Sequence, residues 1–168
     1  MHLLVYPDPF LKEKAEAVTD FGAALEGIRE GMLKGMYLYQ GVGLAAIQMG
    51  VRSRVFVYDV SPDRDRPELV INPRIVVAST EREAFEEGCL SVPGIRQNVI
   101  RPVAVTLAWQ DIKGREYQDD FEGLSARVIQ HELDHLDGTL FVTRLGRVKQ
   151  LLIRKALREL EERGGHGP

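Results

Sequence analysis

Residues 129–138 read Ile-Gln-His-Glu-Leu-Asp-His-Leu-Asp-Gly, and few conformations suit that order. In an α-helix, positions i and i+4 differ by about 40° of rotation, so the imidazoles of His131 and His135 leave one face and can grip one metal ion. Glu132 follows His131 by about 100°, close enough to handle a proton of water held there. Ile129, Leu133 and Leu136 make an apolar stripe beside this face, and Gly138 is a natural helix stop. Gln130, Asp134 and Asp137 are expected on the remaining, wetter side. The same pattern also fits a hydrogen-bonded surface pair of histidines, so the rest of the chain must decide.

The chain has 168 residues, of which 44% are hydrophobic, enough for one domain with a real core. We expect a single catalytic domain over 1–163 and a flexible tail over 164–168, with His166 solvated. A net charge of −3 disfavours non-specific nucleic-acid binding, and no specific DNA is expected. No run of about 18 apolar residues is present, so no membrane span is expected. The start, Met1 to Pro7, lacks the basic and apolar segments of a signal peptide. The single cysteine, Cys89, excludes an internal disulfide and suits a reducing compartment. These features together predict a cytoplasmic protein.

Pro9 should start a short helix over 10–17. Asp20 is a plausible N-cap for a longer helix to about Tyr39, with Leu25, Ile28, Met32 and Met36 as its core stripe. Gly41-Val42-Gly43-Leu44-Ala45-Ala46-Ile47-Gln48 permits positive φ or close approach of another chain. Spacing alone favours a turn there; the alternative is a binding loop that presents backbone groups and the Gln48 amide. Strands are expected at 54–59 and at 69–77, the second interrupted by Asn72-Pro73 as an edge or bulge. Residues 61–67 form a polar loop. Residues 81–87 and 96–109 should be extended, and Asp111-Ile112-Lys113-Gly114 should turn into a strand over 115–121. After the histidine helix, 147–163 is amphipathic, with Leu151, Ala156, Leu157 and Leu160 inward. The pattern predicts an α+β fold: small antiparallel sheets around the metal helix, with a C-terminal amphipathic helix.

A hydrolytic metal site takes three protein ligands and leaves one position for water. The other histidines, His2 and His166, sit at the chain ends. An acidic residue would serve, but Cys89 is the sharper candidate, in Glu87-Gly88-Cys89-Leu90-Ser91 between a strand and the Pro93-Gly94 turn.

Gly41 to Gln48, Glu87 to Ser91 and Gln130 to His135 together resemble the three signature motifs of the peptide deformylases, in order and spacing. Tyr6 to Pro9, Asn72-Pro73, Gly123-Leu124 and Gly138 to Phe141 extend the resemblance over roughly residues 3–160. Thr143, where an acidic residue is usual, and Ser125, where leucine is common, depart from the pattern. The resemblance implies removal of the formyl group from the N-terminal formyl-methionine of new proteins, releasing formate. It implies metal ligands Cys89, His131 and His135, with Glu132 as the proton carrier. The Gln48 side chain and the Leu90 backbone N–H would meet the oxyanion. Val42, Leu124, Val128 and the His131 ring are the matching candidates for a methionine pocket, although Val42 and Val128 also suit ordinary core. Gly43 would offer its backbone to an extended peptide, and Arg96 would lie near the cleft. Glu87 and Arg101 either steady the Cys89 loop as an ion pair or form a surface pair worth about 0–1 kcal/mol. The cofactor implied is one divalent ion, physiologically Fe2+, with Zn2+, Ni2+ or Co2+ as substitutes, and an iron form would be sensitive to air.

Two other readings use the same residues. One is another metal hydrolase or peptidase on the same helix; the other is a non-enzymatic domain with a structural metal, which would want a fourth protein ligand. Partners implied are N-formyl-methionyl nascent polypeptides. Arg147, Lys149, Arg154, Lys155 and Arg158 of the last helix could touch ribosomal RNA, or form a solvated face offset by Glu159, Glu161 and Glu162.

Overall fold

Val55, Phe56 and Val57 have no polar neighbour between them, and the strand they form is buried on both faces. Alternation sends Phe56 and Tyr58 into one apolar cluster and Val55 and Val57 into another. A helix covers each side, and this sandwich fixes where the histidine helix lies. The computed structural model describes residues 2–162 and Gly164. Its helices are α1 (Ala23–Leu38), α2 (Gly123–Leu136) and α3 (Arg147–Glu162). Its strands are β1 (Gly43–Ala45), β2 (Val55–Tyr58), β3 (Glu68–Ala78), β4 (Arg82–Cys89), β5 (Val92–Pro102), β6 (Ala104–Gln110) and β7 (Glu116–Glu122). One antiparallel sheet runs β1-β2-β3-β6-β7, and β4 pairs with β5 in a separate hairpin. The fold is α+β, with small antiparallel sheets around α2.

α2 buries Ile129, Leu133 and Leu136 against Phe56, Leu107 and their neighbours, as its stripe predicts. α1 buries Leu25, Met32 and Met36 on the opposite face of the sheet, with Ile28 partly covered. A third cluster joins Val92, Ile95 and Val99 of β5 to Phe141, Ile153 and Leu160.

Several boundaries differ from expectation, each for a local reason. The helix expected over 10–17 is only a 3-10 turn, Pro9–Lys12. Beyond it the chain is drawn out by backbone bonds, Ala15 N–H to Leu136 O and Glu16 N–H to Arg52 O. Asp20 does not cap α1; Gly22 does, and the Asp20 carboxylate accepts the Gly22 N–H instead. Asn72-Pro73 makes a bulge and not an edge, since β3 lies between β2 and β6 with a register shift between Ile71 and Arg74. Asn72 takes φ +51 there, and its side chain pairs with both backbone groups of Val18. The extended run 96–109 is split at Pro102, which ends β5 before β6 joins the other sheet. In α3, Leu151 is 64% exposed; the inward stripe is Ile153, Ala156, Leu157 and Leu160. Leu151 is two positions from Ile153, about 200° away around the helix. The fraying expected of 164–168, including His166, lies outside the described residues except for Gly164.

Tyr6 donates a 2.5 Å hydrogen bond to Glu161 and so ties the start of the chain to α3. That bond, then burial and the Glu161 charge, push the phenol up to about 12. A raised value means the contribution is complete below the ordinary value of about 10 and is lost as pH climbs toward 12. The protection of amides in 147–162, relative to their intrinsic hydroxide-catalysed exchange rates, should therefore fall across that interval in the wild type, and Tyr6→Phe should show the lower protection throughout.

Candidate metal centre and cleft

β4 and β5 are joined by a tight turn, with Cys89 opposite Val92 and Leu90-Ser91 between them. The turn sets Cys89 Sγ 3.1 Å from His135 Nε2. One donor atom from each of Cys89, His131 and His135 lies within 4.8 Å of the others. The two imidazole centroids are 5.0 Å apart, as helical i, i+4 spacing requires. Gly138, at φ +71, ends the helix after Asp137.

The orientation of His131 is set from behind. Its Nδ1 lies 2.9 Å from Glu87 Oε2, which leaves Nε2 for the cysteine side. Glu87 also accepts from Arg101 Nε at 2.6 Å and Nη2 at 2.9 Å, and from Arg127 Nη1 at 3.2 Å. Arg101 reaches on to Asp134 at 2.8 Å, and Arg144 closes on the same carboxylate. Glu87–Arg101 is thus a buried pair, with both side chains at most 5% exposed. Burial alone would raise the Glu87 carboxyl, but His131 and Arg101 outweigh it and hold it down to about 2. The wetter side expected of α2 is only partly so: Gln130 and Asp134 are buried, and Asp137 is exposed. Both buried groups have partners, Gln130 donating to Pro102 O and Asp134 gripping the arginines.

Glu132 is 4% exposed, and burial pushes its carboxyl up to about 7. Its Oε2 is buried without a hydrogen-bond partner. Burial holds His135 well below the ordinary histidine range. For His131 burial acts the same way, but contacts with Cys89 and Glu87 prevail and raise it to about 10. A thiol and two imidazoles converging on one point, beside a carboxylate oxygen with nothing to bond, fit a divalent cation with a water next to it. Among the described residues no fourth Cys, His, Asp or Glu joins the donor group, so the set is the open kind.

Gln48 is buried in a 3-10 turn, Ala46–Met49. Its Oε1 accepts from Ala45 N–H at 2.8 Å, which fixes the amide so that Nε2 donates to Ser91 Oγ at 3.0 Å and lies 3.6 Å from Cys89 Sγ. The stretch expected to turn therefore contains a short strand and this anchored amide.

A cleft of about 550 Å³ opens above these groups, lined in part by Val42, Gly43, Leu90, Arg96, Leu124, Val128 and His131. Val42 and Leu124 are 41% and 48% exposed, whereas Val128 also belongs to the core. Arg96 sits at the rim, 3.7 Å from Glu86. One edge of the cleft is β1. Asp59 N–H donates to Val42 O, so in this antiparallel register Gly43 turns its N–H and C=O away from β2 to the open edge. A Cβ on Gly43 would strike Glu132 Oε1 and lie 2.8 Å from Val128 Cγ1. The glycine is there for close approach and not for positive φ.

All the residues expected at the site are gathered here. Sequence reasoning missed Arg127, Asp134 and Ser91. Arg127 stands four residues before His131, so helical spacing alone would have put it on the histidine face; Asp134 and Ser91 lie inside the signature stretches, but nothing local says which groups they meet.

The polypeptide deformylase family model matches residues 1–151. The chain belongs to this family. It is 45% identical to the peptide deformylase of Thermotoga neapolitana, with 93% of each chain covered. Identity to the Chlorobaculum tepidum enzyme is 46%, over 94% of this chain and 86% of that one. A solved structure of the Plasmodium falciparum peptide deformylase superposes with a TM-score of 0.92 at 34% identity, covering 99% and 100% of the two chains. One from Legionella pneumophila gives 0.89 at 37%, covering 99% and 98%. The deformylases are metal-dependent hydrolases that remove the N-terminal formyl group from nascent proteins, and this chain is such an enzyme. Among the described residues no helix is long and apolar enough to cross a membrane.

Replacing Arg101 by Leu leaves two buried carboxylates short of a cation, and should cost about 3–5 kcal/mol in urea unfolding. Arg144→Leu, at a side chain 51% exposed, should cost about 0–1 kcal/mol.

Proposed function

We propose that Cys89, His131 and His135 hold one divalent metal ion, and that Glu132, Gln48 and Leu90 carry out deformylation of N-formyl-methionyl peptides beside it. The observation that supports this best is the convergence of the three donors next to the buried Glu132 carboxylate, whose Oε2 has no hydrogen-bond partner. A divalent ion bound there supplies Lewis acidity, lowering the pKa of water and polarising a carbonyl. The donor set accepts iron, zinc, nickel or cobalt, and we propose ferrous iron as the physiological ion.

The substrate peptide adds to the open edge of β1, pairing with Gly43 N–H and C=O. Its methionine side chain enters between Val42, Leu124, Val128 and the His131 ring, and Arg96 lies beside the residues that follow. Glu132 takes a proton from the attacking water and returns it to the leaving amine, a role supported by its burial beside the three donors. The C–N bond of the formamide breaks, giving formate and a free amino terminus. Gln48 Nε2, held by its own Ala45 bond, and the Leu90 N–H donate to the oxygen that gains charge. Losing one such donor costs about 2.7–4 kcal/mol in comparable sites.

We further propose that 1–163 act as one catalytic domain, and that the enzyme works in the cytoplasm. α3 is proposed to touch the ribosome through Arg147, Arg154, Lys155 and Arg158, a reading supported by its exposed Val148, Leu151 and Leu152. Lys149 is already committed to Asn98 O.

Anaerobic formate release from formyl-Met-Ala-Ser should be rapid for the wild type. It should fall about 10²–10⁴-fold in Glu132→Ala at matched metal content. A metal-loaded wild type that releases no formate yet cleaves unformylated peptides would overturn the reading in favour of a peptidase.

A further inference from the structure

The loop after β2 contains a residue under strain that the catalytic scheme does not use. Arg64 takes φ +54, a left-handed conformation that a long L side chain adopts only where its surroundings impose it. Its guanidinium turns inward: Nη2 donates to Gly41 O at 2.5 Å, and Cζ lies 5.4 Å from the centroid of the Tyr37 ring. Its Nε is buried with no hydrogen-bond partner. A strained backbone and an unsatisfied buried donor both argue against a merely solvated arginine.

The neighbours extend the contact. Tyr37 Oη donates to Asp59 Oδ2 at 2.7 Å, and Asp59 Oδ1 accepts from Ser61 N–H and Oγ. Burial alone would raise Asp59, but the Ser61 and Tyr37 bonds and the Arg64 charge hold it below its usual range. The backbone N–H of Asp59 takes Val42 O at 2.9 Å. Consecutive carbonyls, Gly41 O and Val42 O, are therefore tied to one cluster, and Gly43 is the next residue, with its polar groups at the cleft. Gly41 also packs so closely on Leu90 that a Cβ would fall 2.6 Å from Leu90 Cδ1. The cluster thus bears on both walls of the cleft.

We propose that Arg64 is a positioning residue: through Gly41 and with Tyr37 and Asp59, it holds the β1 edge in line to receive the substrate backbone. This rests on the strand-addition reading above. Arg64 touches neither the reacting atoms nor the three metal donors, so its loss should weaken peptide capture and spare the chemical step.

The test compares wild type, Arg64→Ala, Arg64→Met and Arg64→Lys at matched metal content. The methionine variant keeps an unbranched stem to lie on Tyr37 while removing every donor, and serves if the alanine variant does not fold. Two readouts are taken: amide exchange at Gly41 and Asp59, whose N–H groups are bonded to Met36 O and Val42 O, and steady-state formate release from formyl-Met-Ala-Ser. Loss of a charged hydrogen bond predicts about tenfold faster exchange at both amides and about tenfold higher KM in Arg64→Ala or Arg64→Met. kcat should stay within about threefold, and Arg64→Lys, which keeps a charged donor but not the planar fork, should recover part of the KM. Wild-type exchange in Arg64→Met would overturn the brace whether or not the enzyme is active. Faster exchange with unchanged KM, or a fall in kcat alone, would overturn its role in substrate capture. Absence of formate release by the wild type would instead sink the functional reading, and leave the brace to be decided by exchange.

Discussion

A single carboxylate, Glu87, is where the parts of this protein meet. It sits on β4, and it is gripped by Arg101 from β5 and by Arg127 and His131 from α2. A charge this well buried is tolerable only because cations surround it, and a partner removed would leave it costly. Strand, hairpin and helix are thereby held in one arrangement. The same carboxylate selects which nitrogen of His131 is left to face Cys89. What looks like a structural ion pair is therefore also a device for turning one imidazole nitrogen toward Cys89 and His135.

Asp134 extends this logic to the opposite end of Arg101 and on to Arg144. Arginine suits such a chain because its planar fork serves two carboxylates at once. The exposed end of the chain can be altered at little cost, whereas its middle cannot.

Periodic patterns told most about the fold, and side-chain direction least. The stripe of Ile129, Leu133 and Leu136 placed α2 correctly because a hydrophobic face needs no knowledge of its partner. Asp134 and Gln130 were misjudged on the same helix for the opposite reason: polarity implies water only until a partner is known, and Arg101 lies 33 residues away from Asp134 in sequence. Residues 96–109 were legible as extended, but the assignment of the strands on either side of Pro102 to different sheets depends on long-range pairing. The spacing that brings the His131 and His135 rings together was local and therefore legible. Cys89 could be argued only as a candidate, because a loop does not reveal what it approaches. Arg64 lay in a stretch that read simply as polar, since neither positive φ nor inward reach leaves a mark in composition.

The hairpin that carries Cys89 joins the larger sheet at Pro102 and Val103, and it can be regarded as a lever. β5 runs from Val92 to Pro102, so at roughly 3.3 Å per residue the arm is about 33 Å long. A rotation of about 2° at the pivot would carry the cysteine end by about 1 Å, a displacement of the size that costs catalytic groups about 10²-fold in rate. The bonds of Arg127 to Glu83 O and Val99 O lie along this arm, well away from the tip. The accuracy of the donor cluster is therefore set as much by clamps partway down a strand as by anything adjoining the thiol.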